Sequence, residues 1–205
     1  MNLVQIRRCL LRAGCFLVTM VMVQIYSNIN FTKTAQANSS LSIRKSARAP
    51  SGFLPICGRY SWACSNRAGT VSEARKLELA RKVNSIVNRS VRSASDSSVY
   101  GREENWALPS GGRGDCEDYA LLKMKQLVEA GIASKDVLLA TVLTRKAEHH
   151  VVLVIRTKSG DYFLDNLTDT IRPWRRSGYT VVKMQLPNNR SSWGLVLQGP
   201  MAGGG

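Results

Sequence analysis

The chain has 205 residues and carries 29 Lys and Arg against 14 Asp and Glu, so its formal net charge is +15. A charge of this size favours anionic surroundings. The basic residues are scattered, however, and match no nucleic-acid-binding module, which argues against a nucleic-acid-binding function. A basic, solvated surface near a cell envelope accounts for the charge more simply.

The N-terminus has the order of a secretory signal peptide. Three arginines within the first twelve residues form a basic segment, residues 15–26 are largely apolar, and Ala35-Gln36-Ala37 matches a cleavage site. The apolar segment is too short for a membrane span, which needs roughly 20 residues. We therefore predict a signal peptide over residues 1–37, with an uncleaved anchor helix as the alternative.

Cleavage after Ala37 would leave 168 residues with a formal charge of +11, because four basic residues and no acidic ones would be removed. That length is enough for one domain around one core. We predict an extended arm over residues 38–55, a folded domain over residues 56–200 and a disordered tail over residues 201–205. The signal peptide predicts a periplasmic or secreted protein.

Cysteine pairing is informative in an exported protein, because the compartments outside the cytoplasm favour disulfides. Cys9 and Cys15 belong to the predicted signal peptide, which leaves three cysteines. Cys57 and Cys64 lie seven residues apart, and we predict a disulfide between them. Cys116 is left over, which indicates either a reactive thiol or an intermolecular bond.

The rest of the chain predicts helices followed by an antiparallel sheet, which is an α+β fold. Apolar residues at helical spacing indicate an amphipathic helix over Val71–Val91, and residues 93–115 indicate a long polar loop. Asp115 is placed to cap a second helix over Cys116–Ala130, which Gly131 closes. Five segments have the pattern of strands: Val137–Thr144, His150–Thr157, Tyr162–Leu164, Tyr179–Leu186 and Trp193–Leu197.

Cysteine catalysis needs a thiolate, a histidine that takes and returns its proton, and a group that orients the histidine. Cys116 begins a predicted helix, whose dipole favours a thiolate. The two histidines of the chain, His149 and His150, start a predicted strand and face opposite sides, so one of them can meet Cys116. Asp165, on the paired strand, can reach the same imidazole. From spacing alone, a buried structural cysteine and a surface or core histidine remain the alternative.

The segments "GRGDCEDYALLKMKQLVEAG" and "HHVVLVIRTKSGDYFLDNL" resemble the bacterial transglutaminase-like cysteine peptidases, and "VNSIVNRSV", "YG" and "NWALP" are similar to the same family. The resemblance runs from about Pro50 to Trp193. It implies a papain-like α+β fold, with N-terminal helices packed on an antiparallel sheet, and a Cys-His-Asp triad. Cys116 matches the nucleophile, Asp165 the orienting acid, and His150, which precedes a short apolar run, the histidine.

The family includes periplasmic proteases that release large surface adhesins. The resemblance therefore implies an exported cysteine peptidase that hydrolyses a surface or envelope protein, and it allows for a regulatory partner in the inner membrane. Neither a nucleic-acid partner nor a stable membrane span after cleavage is expected. Two alternatives remain, which are acyl transfer to an amine and a non-catalytic envelope binding module on the same fold.

The adhesin-releasing members bind calcium near the nucleophile, and Asp115, Glu117 and Asp118 match that acidic cluster. Hard oxygen ligands suit calcium. The alternative is that Asp115 caps the helix while the other two carboxylates complement its dipole. The chemistry itself requires no cofactor.

An oxyanion formed during peptide hydrolysis must be stabilised by preorganised hydrogen-bond donors. The backbone N–H of Cys116 is the natural first donor. Trp106 and Asn105, in the preceding loop, are hypotheses for the second donor. Trp106 is equally consistent with a packed anchor of that loop.

Overall fold

The computed structural model describes residues 40–203. The predicted signal peptide over residues 1–37 lies outside the described residues, as do residues 204 and 205 of the predicted tail. Within the described range, no helix is both long enough and apolar enough to cross a membrane.

The described residues form five α-helices, three short 3-10 helices and nine strands. The helices are α1 (Ile56–Arg59), α2 (Ser61–Cys64), α3 (Glu73–Ser90), α4 (Asp96–Tyr100) and α5 (Cys116–Glu129). The strands are β1 (Lys45–Ala47), β2 (Arg92–Ser93), β3 (Arg113–Gly114), β4 (Val137–Leu143), β5 (His149–Thr157), β6 (Gly160–Asp165), β7 (Thr168–Pro173), β8 (Thr180–Gln185) and β9 (Trp193–Gln198).

Seven of the strands form one antiparallel sheet in the order β1-β9-β8-β4-β5-β6-β7. The two long helices precede the main strands along the chain, so the predicted α+β fold is confirmed. Part of the predicted arm belongs to this sheet, because Lys45–Ala47 pairs with β9. At the other end of the chain, the Met201 N–H donates to Thr180 Oγ1 at 2.9 Å.

Strand β5 shows why the sheet is covered on both faces. Val151, Leu153 and Ile155 belong to the core that includes residues of α3 and α5, whereas Val152 and Val154 belong to the core on the opposite face. Successive residues of a strand point to opposite faces, so a continuous apolar run indicates a strand buried on both sides.

The two long helices occur close to where the sequence predicts them, whereas the prediction of a continuous loop over residues 93–115 is wrong, because α4 and β3 lie within it. Helix α3 buries an apolar stripe that includes Ala80 and Val87, and α5 buries Leu121, Met124 and Leu127. The second helix ends before Gly131, whose φ of 93° is a conformation that glycine adopts without the steric cost of a Cβ.

The predicted disulfide between Cys57 and Cys64 is confirmed. It joins the one-turn helices α1 and α2, which lack the length to be stable alone. Cys116 is a free cysteine, as the pairing argument requires.

Candidate active site

Cys116 is the first residue of α5. It follows the short strand β3, and a Cβ on Gly114 would lie 2.6 Å from Asp118 Oδ2, so a larger residue here would force the Asp118 side chain to move. Asp115 occupies the N-cap position but makes no side-chain capping bond. Its carboxylate instead accepts the Asp96 N–H at 3.2 Å. Asp115 therefore occupies the predicted N-cap position, but its side chain does not make the hydrogen bond of a cap.

The Cys116 thiol is half-buried and donates to Glu117 Oε2 at 3.2 Å. Burial raises the pKa of Cys116 above its usual range, and the charge and hydrogen bond of Glu117 raise it further. A hydrogen bond from the backbone amide of Val151 lowers this pKa. The sulfur therefore lies beside the start of β5. In this arrangement burial and the neighbouring carboxylate oppose the helix dipole and favour the protonated thiol.

The two histidines differ as strand alternation predicts. His150 is 8% exposed, and its Nε2 lies 2.9 Å from Asp165 Oδ1. His149 is exposed to solvent. Because Nε2 faces the carboxylate, we assign the proton of the neutral ring to Nε2, which leaves Nδ1 as the acceptor.

Asp165 is held by several donors besides His150. Its Oδ1 accepts the Leu167 N–H at 3.0 Å, and its Oδ2 accepts the Tyr179 hydroxyl at 2.8 Å. Its backbone carbonyl accepts the Asn88 side chain at 3.0 Å. Burial alone would raise the pKa of Asp165, but the hydrogen bonds from His150, Leu167 and Tyr179, and the charge that the imidazole carries when it is protonated, together hold it below its usual range.

Cys116 and both histidines line one cavity of about 220 Å³. The other wall residues are Pro50, Ser51, Glu104, Trp106, Glu117, Thr141 and Val151. A larger cavity of about 580 Å³ lies elsewhere. Its walls include Lys76, which bonds Glu73 and Asp136 at 2.7 Å each, so these charges satisfy one another. The smaller cavity is therefore the candidate active site.

An acidic cluster lies behind the nucleophile. Asp96, Asp115 and Glu117 each offer a carboxylate oxygen, and these oxygens lie within 4.8 Å of one another. Burial raises the pKa of Asp115. Burial and the neighbouring Asp115 raise the pKa of Glu117 to about 8. Three carboxylates this close repel one another when ionised, so the cluster favours a proton or a cation.

The predicted metal ligands are only partly brought together by the fold. Asp115 and Glu117 are in the cluster, whereas Asp118 Oδ1 accepts the Ala107 N–H at 2.9 Å. Burial raises the pKa of Asp118 to about 7, although this amide opposes it. Sequence reasoning missed Asp96, which lies in the polar segment "SASDSSVYG" and carries no local signal of its role.

The two residues predicted as second oxyanion donors, Trp106 and Asn105, line different depressions of the surface. Trp106 is 2% exposed and lines the cavity, where its indole N–H donates to Glu104 at 3.2 Å. Asn105 lies in a neighbouring depression, and its side-chain oxygen is 3.4 Å from the Arg59 guanidinium. Trp106 also packs edge-on against Phe53, so it anchors the loop as well as lining the cavity.

A family model described as bacterial transglutaminase-like cysteine proteinase BTLCP matches residues 43–200. Comparison with curated proteins finds no match.

Solved structures of LapG from Legionella pneumophila are similar to this chain. For calcium-bound LapG the TM-score is 0.50 at 23% identity, over 62% of this chain and 72% of the LapG chain. For EGTA-treated LapG the TM-score is 0.46 at 24% identity, over 53% of this chain and 62% of the other. The chain thus spans less than two thirds of the EGTA-treated LapG chain. Together with the family match, the likeness to calcium-bound LapG confirms the expected transglutaminase-like, papain-like α+β fold.

Proposed function

Because this chain belongs to the bacterial transglutaminase-like cysteine proteinase family, we propose that it is an exported peptidase that hydrolyses a surface or envelope protein. Cys116 is the nucleophile, His150 the general base and acid, and Asp165 the group that orients His150. The observation that carries the proposal is the buried His150–Asp165 pair, whose imidazole lines the same cavity as the free thiol.

The proposed chemistry proceeds in two halves. Cys116 Sγ attacks the carbonyl carbon of the peptide bond, and its proton passes to His150 Nδ1. His150 gives this proton to the leaving amine as the C–N bond breaks, which leaves a thioester on Cys116. Water, deprotonated by His150, then attacks the thioester, the C–S bond breaks, and the proton returns to sulfur. Asp165 keeps the imidazole in the required tautomer throughout.

Because Cys116 donates a hydrogen bond to Glu117, the sulfur is a protonated thiol in this arrangement, before substrate binds. Proton transfer to His150 requires the sulfur to turn away from Glu117 and towards the imidazole on the same cavity wall. The imidazolium that forms is stabilised by the Asp165 carboxylate, which lies 2.9 Å from the other ring nitrogen. The oxyanion would be held by the Cys116 N–H, and by the Trp106 indole once it leaves Glu104.

The proposed export rests on sequence features outside the described residues and on one feature within them. Residues 1–37 are proposed to be a signal peptide, which places the domain that follows in the periplasm or outside the cell. The Cys57–Cys64 disulfide supports this placement, because such bonds persist in oxidising compartments.

We also propose that the acidic cluster binds calcium. The buried oxygens Asp96 Oδ1, Asp115 Oδ1 and Asp118 Oδ2 have no hydrogen-bond partner, and oxygen donors of this kind suit a hard cation. Asp96, Asp115 and Glu117 would hold the ion, with Asp118 beside them. A bound cation would neutralise the carboxylates that raise the pKa of Cys116. It would also link the start of α4, at Asp96, to the start of α5.

The calcium proposal predicts a change in thermal stability. Saturating calcium should raise the melting temperature by roughly 5–10 °C relative to EGTA, since binding at 100 times Kd contributes about 2.7 kcal/mol. Asp96→Asn keeps the oxygen that accepts the Asn105 N–H but should abolish most of the shift. Glu78→Gln, an exposed acid on α3, is the matched control and should keep it. An identical melting temperature of the wild type in calcium and in EGTA would rule the site out.

The proposed function is tested first on the purified protein. Iodoacetamide should label Cys116 at mildly acidic pH in the presence of calcium, and pretreatment with it should block hydrolysis. The surface proteomes of cells with wild-type protein and with Cys116→Ala should then differ in at least one surface protein, released or shortened only by the wild type. Identical proteomes together with an unreactive Cys116 would leave the non-catalytic binding module as the better account.

A further inference from the structure

Tyr179 contacts both members of the His150–Asp165 pair but forms and breaks no bond in the proposed chemistry. Its hydroxyl donates to Asp165 Oδ2 at 2.8 Å. Its ring packs edge-on with the imidazole of His150, with 6.0 Å between the two ring centroids. The pair therefore meets this tyrosine in two ways, through the hydroxyl and through the ring.

The hydroxyl of Tyr179 completes the hydrogen bonds to the Asp165 carboxylate. Oδ1 accepts His150 Nε2 at 2.9 Å and the Leu167 N–H at 3.0 Å. Among the described residues, Tyr179 is the one donor to Oδ2. The torsion that turns a carboxylate about its Cβ–Cγ bond is soft, so a group bonded through one oxygen can rotate. The bond from Tyr179 to the second oxygen fixes the plane of the group and keeps Oδ1 aimed at the imidazole.

The ring of Tyr179 closes one side of the pair. Asp165 and Tyr179 both line a depression of about 50 Å³, whose other walls include Thr168 and Arg172. Truncating the ring would widen this depression beside the carboxylate. His150, which is 8% exposed, would lose the aromatic ring that contacts it. Water that enters competes for the hydrogen bonds of the pair and weakens the attraction between its charges.

Contacts outside the pair hold Tyr179 in this place. Its ring stacks on Phe163, with the centroids 6.4 Å apart and an interplanar angle of 21°. Its backbone N–H donates to Ser177 Oγ at 3.0 Å, and this hydroxyl donates to the Trp174 carbonyl at 2.6 Å. Since these contacts include neither the thiol nor the histidine, the tyrosine is placed independently of the groups that it touches.

We propose that Tyr179 is a positioning residue that acts through Asp165: its hydroxyl fixes the carboxylate towards His150, and its ring keeps water away from the pair. The consequence for catalysis rests on the proposed function, because an imidazole held in one orientation takes the proton of Cys116 more readily than one that turns. Burial and the hydrogen bond to Asp165 raise the pKa of Tyr179 above its usual range, so the hydroxyl keeps its proton and stays a donor at neutral pH.

Proton NMR of the full-length protein tests the positioning without a substrate. In Cys116→Ala, the Nε2 proton of His150 should give a downfield signal, because burial and the bond to Asp165 slow its exchange with water. Adding Tyr179→Phe, which removes the hydroxyl and keeps the ring, should speed this exchange by about 10-fold, the lower end of what a hydrogen bond to a charged group contributes. Adding Tyr179→Leu, which removes both, should abolish the signal.

Tyr162→Phe is the matched control, because Tyr162 lies in the same strand as Asp165 but its hydroxyl is 3.3 Å from Ser159 Oγ. It should leave the His150 signal unchanged. A tyrosine that only stabilises the fold would lower the melting temperature without changing the exchange of this proton. The inference is overturned by unchanged exchange in Tyr179→Phe, by equal acceleration in Tyr162→Phe, or by absence of the signal already in Cys116→Ala. If circular dichroism shows that Tyr179→Leu is unfolded, Tyr179→Phe alone decides.

The rate at which iodoacetamide labels Cys116 near neutral pH, with calcium present, measures the consequence for catalysis. With Cys116 intact, Tyr179→Phe should be labelled at least about 3-fold more slowly than wild type, since its base is less well held. Equal rates would overturn the role of Tyr179 in catalysis. An unreactive wild-type Cys116, with faster proton exchange in Tyr179→Phe, would refute the proposed function and leave the positioning intact. A reactive Cys116 with unchanged exchange would refute only the positioning.

Discussion

His150→Ala is expected to lower the rate of substrate hydrolysis by at least ~100-fold, whereas His149→Ala should change it little. Without the imidazole the thiol has no base to take its proton, and the leaving amine has no acid to supply one. The neighbouring His149 cannot substitute, because it is exposed while His150 is buried against Asp165. The effect is measured as the rate at which each variant hydrolyses a surface protein that the wild type releases. The rate of iodoacetamide labelling of Cys116 near neutral pH is a second measure.

Asp165→Asn extends this prediction with an intermediate effect. The imidazole remains, but the amide stabilises the imidazolium less well and can favour the wrong tautomer. Circular dichroism should show that all three variants keep the fold. If His149→Ala is the inactive variant and His150→Ala keeps wild-type activity, the assignment of the general base is wrong, even though Cys116 can still be the nucleophile.

Arg190→Met is expected to produce the largest loss of stability, about 3–5 kcal/mol. Arg190 is 0% exposed. Its guanidinium donates to the carbonyls of Ala63, Ser134 and Val137, with 2.6 Å to the last. Methionine fills a similar volume but leaves three carbonyls without this donor. Burial lowers the pKa of Arg190 to about 10, which still leaves it charged at neutral pH.

Thermal or urea unfolding followed by circular dichroism measures this loss, which corresponds to a decrease of roughly 10 °C in melting temperature for a domain of this size. Arg81→Met is the matched control, since Arg81 is exposed on α3 and its loss should stay within about 0.5 kcal/mol. A decrease of less than about 2 °C for Arg190→Met would mean that the carbonyls find other donors.

Several features of this protein follow from local rules. The helical spacing of apolar residues and Gly131 define α5 to within one residue of its observed end at Glu129. The spacing of Cys57 and Cys64 suffices for a disulfide. Strand alternation predicts that one histidine is buried and the other exposed, which His150 and His149 are. Each of these depends on neighbours within a few residues along the chain.

Other features escape a sequence-based prediction. Strand β7 was not predicted, because within "TDTIRP" only Ile171 is buried, so its alternation is too weak to stand out. Asp96 belongs to the acidic cluster although it lies 19 residues before Asp115 in the chain, separated from it by a polar segment. Lysine and arginine are ordinarily exposed. No pattern in the neighbouring sequence indicates that Lys123 and Arg190 are buried.

The sequence by itself therefore determined the α+β order of elements and the disulfide, and it predicted which residues would supply a thiol, an imidazole and an orienting acid. Only the tertiary structure decided which groups surround them: Glu117 beside the thiol, Tyr179 beside Asp165, and Asp96 as the third acid of the cluster. The physical reason is that helices, turns and alternation arise from contacts between near neighbours. Burial and charge, which set the proton affinities of this site, depend on which distant segments the sheet and α5 bring together.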